Sequence, residues 1–144
     1  MTTRPHKALF PILRRLSDGT YHSGQDLALE FQLSRASIFN VLNQAEAMGL
    51  ALHAVRGRGY RIPAPVEWLD EMVVANQLGT LSRAFDIRIV DSVVSTNTAL
   101  MEAALAGAAD GTVICAEHQL AGKGRRGRQW HSVLGGSLTF SVLW

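Results

Sequence analysis

The sequence predicts an α+β chain in two parts: three short helices with a β-hairpin, then a mixed α/β segment of strands and helices. Three observations carry this. Apolar residues recur at helical spacing in successive stretches up to Met48. Pro63-Ala64-Pro65 then forms a stiff, extended linker. Beyond it, the strand-like runs Asp86–Val90, Thr112–Glu117 and Leu138–Leu143 alternate with helix-forming stretches. The expected domains are residues 1–63 and 66–144.

The 144 residues suffice for one ordinary domain or two small ones, and a 47% hydrophobic content argues against disorder. No apolar run reaches the length of a membrane span, and the charged first residues lead into no signal-peptide core, so the cytoplasm is the expected compartment. Cys115 is alone, which excludes an internal disulfide; its neighbours Val113 and Ile114 predict a buried strand thiol, not a nucleophile. The net charge of +2 divides unevenly. Residues 1–62 hold eight Lys/Arg against four Asp/Glu, whereas residues 63–144 hold six against eight. The basic half suits an acidic partner such as duplex DNA.

In the first part, Leu9, Phe10, Ile12, Leu13 and Leu16 mark a helix, expected to start at Pro11 and to end at Asp18-Gly19. Ser23 reads as the N-cap of a second helix whose inner face is Leu27, Ala28 and Phe31. Gln32-Leu33 make a tight turn. Ser34 caps a third helix with Ile38, Val41, Leu42 and Ala45 inside, and Gly49 fits its C′ position. Leu50–Val55 and Tyr60–Ile62 are expected strands joined by Arg56-Gly57-Arg58-Gly59. A short helix, a turn, a capped longer helix and a basic-tipped hairpin read as a winged helix-turn-helix. On that reading Ser34, Arg35, Ser37 and Asn40 lie where side chains reach base edges, while Arg56 and Arg58 contact backbone. A protein-binding winged helix is the competing reading.

In the second part, Asp70–Leu78 reads as a helix stopped by Gly79, and Ser95-Thr96-Asn97 as the cap of a helix running to Ala106. The run Gly122-Lys123-Gly124-Arg125-Arg126-Gly127-Arg128-Gln129-Trp130 places three glycines among four cations. Glycine permits φ > 0 and close approach to a ligand, and the N–H groups beside Lys and Arg suit a phosphate or carboxylate. No Walker sequence follows. A solvated basic loop or an RNA-binding Gly/Arg segment would share this composition, but the position between two strands favours a ligand loop. Trp130 would pack over a ligand or anchor the core.

Glu117-His-Gln-Leu-Ala-Gly-Lys-Gly-Arg-Arg-Gly-Arg-Gln-Trp130 resembles the biotin loop of biotin–protein ligases, and Asp91-Ser-Val-Val-Ser-Thr-Asn97 resembles that family's Asp-Ser-Thr-Asn motif. The stretch His22-Ser-Gly through Arg56-Gly-Arg-Gly-Tyr60 resembles the DNA-binding domain of the bifunctional ligase/biotin operon repressors. The resemblance implies ATP-dependent formation of biotinyl-5′-AMP, with Mg2+, and transfer to a lysine of biotin carboxyl carrier protein. It also implies operator binding, repression and a ligand-bound homodimer. It assigns biotin to Ser95, Thr96, Asn97, Gln119, Gly122, Lys123 and Arg125, and the adenylate loop to Gly124, Arg126, Gly127, Arg128 and Trp130. Two departures stand out: Lys123 replaces the usual Arg, losing its planar fork, and Val94 replaces the usual Asp. The family's catalytic Lys is expected beyond Trp144, so the chain reads as an incomplete N-terminal portion that is inactive alone. A winged-helix regulator without ligase activity is the alternative.

Overall fold

The computed structural model describes residues 4–144, which divide into the units Arg4–Glu67 and Trp68–Trp144. In the first unit, α1 (Leu9–Leu16), α2 (Gly24–Glu30) and α3 (Arg35–Ala47) precede strands β1 (His53–Val55) and β2 (Gly59–Arg61). Leu9, Ile12, Leu13, Leu16, Leu27 and Ile38 are fully buried, each contributing roughly 1.5–3 kcal/mol of transfer free energy. Helix α1 starts two residues before Pro11, from the cap position Ala8. This is possible because the first-turn N–H groups have no intrahelical partner, so proline forfeits nothing there. Phe31 is half-buried, not an inner-face residue, since α2 ends at Glu30.

The helix boundaries follow local chemistry. The Ser23 and Ser34 hydroxyls accept from the N–H groups of Asp26 and Ser37, both at 3.0 Å. Gln32, at φ 53°, turns the chain between α2 and α3. After α3, Gly49 adopts φ 89°, its N–H reaches Glu46 O, and the Leu50 N–H reaches Ala45 O. That is a Schellman termination, and it draws Leu50 into the core instead of into the expected strand. The shorter hairpin β1–β2 pairs antiparallel, and His22 adds a bridge to Tyr60. A Cβ on Gly59 would strike the His22 carbonyl, so the wing docks closely only with glycine there.

In the second unit, α4 (Glu71–Leu78) is capped by Asp70 and leads into a 3-10 stretch, Gly79–Ala84. Strands β3 (Asp86–Val93) and β4 (Thr112–Gln119) run parallel, with helix α5 (Thr96–Leu105) as the crossover that parallel pairing requires. A small hairpin follows, β5 (Gly122–Lys123) with β6 (Gln129–Trp130). Strand β7 (Thr139–Val142) returns antiparallel to β4, giving the order β3-β4-β7. The central strand β4 is buried along most of its length, and α5 packs on β4 and β7. Leu100, Val113, Ile114, Ala116 and Leu134 form the apolar core.

Candidate functional site

The C-terminal end of β4 is the junction of the second unit. Backbone N–H groups of Leu120 and Ala121 donate to the carbonyls of Val93 and Val94, both at 2.9 Å. These bonds lace the Ser95-Thr96-Asn97 stretch to the start of the glycine run. Gln119 tightens the same join: its Oε1 accepts from the Thr96 N–H at 2.8 Å and from Thr96 Oγ1 at 3.1 Å. The expected side-chain cap by Ser95 does not form. Gln119 supplies an acceptor for the first turn of α5, so its amide oxygen is committed to the protein. Thr96 Oγ1 also lies 2.9 Å from Ser141 Oγ on β7, and the Gln119 N–H donates to Ser132 Oγ at 3.0 Å.

Around this join opens a cleft of about 200 Å³, lined by Ser95, Thr96, Asn97, Gln119, Lys123 and Trp130 together with Leu138–Ser141. It has hydroxyls, amides and a cation beside an indole and a phenyl ring. Trp130 is 52% exposed and is therefore no core anchor. Gly122, Gly124, Arg125, Arg126, Gly127 and Arg128 do not line the cleft. Sequence reasoning missed Thr139 and Ser141, although the alternation Thr139-Phe140-Ser141-Val142 offered the signal of one polar strand face. Nothing local marked Ser132.

The glycine run is a hairpin, not an open loop. Gly122 pairs with Trp130 and Lys123 with Gln129, and the Gly124 N–H donates to Arg128 O at 2.7 Å. At the tip Arg126 (φ 59°) and Gly127 (φ 72°) are both left-handed, the pattern of a type I′ turn. Gly122 needs to be glycine for packing: a Cβ there would stand 2.8 Å from Trp130 O and 3.0 Å from Gln119 Nε2. Lys123, Arg125, Arg126 and Arg128 are exposed on this small scaffold.

The first unit carries its own cleft, about 830 Å³, between the start of α3 and the wing. Arg35, Ala36 and Phe39 line it from α3, and Arg56 and Gly57 from the wing tip. Ser34, Ser37, Asn40 and Arg58 are not among the lining residues. The Ser34 and Ser37 hydroxyls lie 2.8 Å apart within the cap. The Arg58 and Arg61 guanidinium groups sit 4.8 and 4.9 Å from the centroid of the Tyr21 ring, a double cation–π contact that the sequence did not suggest.

Among the described residues, three titrating groups are shifted from their ordinary values. The Thr20 N–H and then the His22 ring hold the Asp18 carboxyl well below the usual carboxylate range. Burial, with a smaller contribution from Glu117, pushes the Cys115 thiol up; the residue is half-buried, not buried as expected. A raised thiol is poorly nucleophilic. Burial lowers His118, whose Nδ1 is enclosed without a hydrogen-bond partner. Glu117 is buried and accepts from the Leu69 N–H at 2.7 Å. Among the described residues no three His, Cys, Asp or Glu side chains gather as a metal site, and no helix is long and apolar enough to cross a membrane.

Residues 9–61 match the HTH domain family, and residues 89–144 match the Biotin/lipoate A/B protein ligase family. The bifunctional ligase/repressor BirA of Salmonella typhimurium is 32% identical over 133 residues, covering 92% of this chain and 40% of that protein. The protein of the same name in Escherichia coli gives the same identity and coverage. The biotin--[acetyl-CoA-carboxylase] ligase of Mycobacterium tuberculosis is 41% identical over 76 residues, 51% of this chain and 29% of that protein. The chain thus spans 40% of the length of the first two relatives. Residues 9–61 are similar to the HTH domain family and residues 89–144 to the Biotin/lipoate A/B protein ligase family, and 92% of the chain aligns with the two bifunctional ligase/repressor relatives.

Proposed function

We propose that this chain supplies the operator-binding domain, residues 1–63, and part of the biotin site, residues 66–144, of a cytoplasmic biotin–protein ligase that also represses biotin synthesis. The reading rests on one observation above the others. Two separate motifs, Ser95-Thr96-Asn97 and Gln119 through Trp130, converge on a single cleft of hydroxyls, amides, one cation and an indole. Such a set suits a bicyclic urea with an apolar body and an acidic tail.

In the proposed reaction a biotin carboxylate oxygen attacks the α-phosphorus of ATP, and the bond to pyrophosphate breaks. A lysine amine of the carrier protein then attacks the acyl carbon, and AMP leaves. Ser95, Thr96 and Asn97 hold the ureido ring together with the amide nitrogen of Gln119. Gly122 admits the backbone, and Lys123 and Arg125 meet the carboxylate and the phosphate. Gly124, Arg126, Gly127 and Arg128 shape the loop over the adenylate, and Trp130 covers it. Mg2+ would enter on the triphosphate, as that ion commonly does. Catalysis of this kind is positional and electrostatic. Ser34, Arg35, Ser37 and Asn40 face the operator's base edges while Arg56 and Arg58 meet its backbone, and ligand binding favours a homodimer of the whole protein.

Titration calorimetry of the 144-residue chain with biotin tests the pocket. Binding that weakens at least tenfold in Thr96→Val is expected. Absence of binding, or equal binding by both proteins, would remove the ligase reading.

A further inference from the structure

Helix α3 presents Arg35, Ala36, Phe39 and Asn40 outward, opposite its buried stripe of Ile38, Val41, Leu42 and Ala45. Phe39 stands one turn beyond Arg35 and is 53% exposed, although its ring has nothing to offer water. It lines the larger cleft with Arg35 and Ala36, and Arg56 faces it from the wing. An apolar ring that shares a cleft with two guanidinium-bearing residues suits a polyanion whose recognised surface carries an apolar group. In the major groove of duplex DNA the base edges present donors, acceptors and one such group, the C5-methyl of thymine. We infer that Phe39 reads the C5-methyl of a thymine in the operator, an inference that rests on the duplex-DNA reading above. Arg35 would then serve a hydrogen-bonding base about one helical turn away, and Ala36 would keep the surface between them low.

The test begins with selection of the preferred duplex from a random-sequence pool, at low salt, by the 144-residue chain. Each thymine of the best duplex is then replaced singly by deoxyuridine, which deletes only the methyl. At one or two positions the affinity should fall about fourfold, as expected for one buried methyl group. Phe39→Leu should keep that sensitivity. Phe39→Ala should bind the parent duplex more weakly and be indifferent to the deoxyuridine change. A ring this exposed should leave the melting temperature of Phe39→Ala close to that of the parent; the deoxyuridine series on the unaltered protein decides the matter even if it does not. Duplex binding with no methyl-sensitive position, including binding without sequence preference, overturns the inference and leaves the DNA reading standing. No duplex binding at all overturns the DNA reading itself and points to a protein partner for the patch.

Discussion

Single residues carry much of the specificity of this chain. Gly122 is defined by its neighbours, with the Trp130 carbonyl 2.8 Å from the place of a Cβ and Gln119 Nε2 at 3.0 Å. Gly122→Ala should therefore force the β5–β6 hairpin off Gln119 and lower stability by about 1–3 kcal/mol, the usual cost of overpacking. Urea unfolding of the variant checks this; an unchanged midpoint would show that the hairpin yields freely. Asp18 provides a pH-dependent counterpart. Its folded carboxyl is held below the ordinary value of about 3.9, chiefly by the Thr20 N–H. Stability from this group is present above that value and is lost as pH falls through the lower folded one. Asp18→Asn should melt earlier than the parent at pH 7, and the gap should narrow as pH falls below the ordinary carboxylate value toward the lower folded one. Thermal unfolding across that range reads the difference, and a constant gap would refute the assignment.

The elements act as frames for side chains. Helix α3 is fixed at one end by Ser34 and at the other by Gly49, so its outward residues have a defined height and direction. The wing is fixed by the His22–Tyr60 bridge and by the close approach at Gly59. Its arginines are deployed differently: Arg56 lines the cleft, whereas Arg58 lies against Tyr21 beside Arg61. Replacing Arg56 and Arg58 together by Ala should weaken duplex binding about equally on all sequences and reduce the salt slope by about 2, because backbone contacts release counterions without reading bases. Fluorescence anisotropy at several salt concentrations measures both quantities. An unchanged slope would remove the wing from the interface.

At the scale of the whole molecule, two units carry two different surfaces. The second unit is built around β4, which pairs with β3 on one side and β7 on the other. Phe140, Val142 and Trp144 remain largely uncovered on it. The chain spans 40% of the length of its Salmonella typhimurium and Escherichia coli BirA relatives. On the ligase reading proposed above, the family resemblance puts the phosphate-binding lysine outside residues 1–144, and the 144-residue chain alone should transfer biotin to a carrier protein about a thousandfold or more slowly than a ligase that has that cation. Transfer of labelled biotin with ATP and magnesium, using protein free of host ligase, is the measurement; turnover by the purified chain would contradict the assignment of the catalytic lysine.

Local rules determined much of this architecture. Ser23, Ser34 and Asp70 each start a helix because a short oxygen-bearing side chain satisfies an N–H three residues on. Gly49 and Gly107 stop helices because they adopt φ of 89° and 90°. Period-two alternation marked Asp86–Val90, apolar runs marked Thr112–Glu117 and Leu138–Leu143, and the glycine–cation composition marked the run from Gly122 to Trp130. These signals act over one to four residues, and the sequence displays them directly. What only the tertiary structure decided lies at longer range. The acceptor for the Thr96 N–H comes from Gln119, 23 residues away, and the partner of the Thr96 hydroxyl from Ser141, 45 residues away. The antiparallel return of β7 beside β4, which puts Thr139 and Ser141 into the cleft, is set by sheet pairing. The closing of the glycine run into a hairpin against Gln119 is a matter of steric fit. Such contacts depend on which distant backbone arrives alongside, and that is settled by burying both faces of β4 at once, a condition no single stretch of sequence contains.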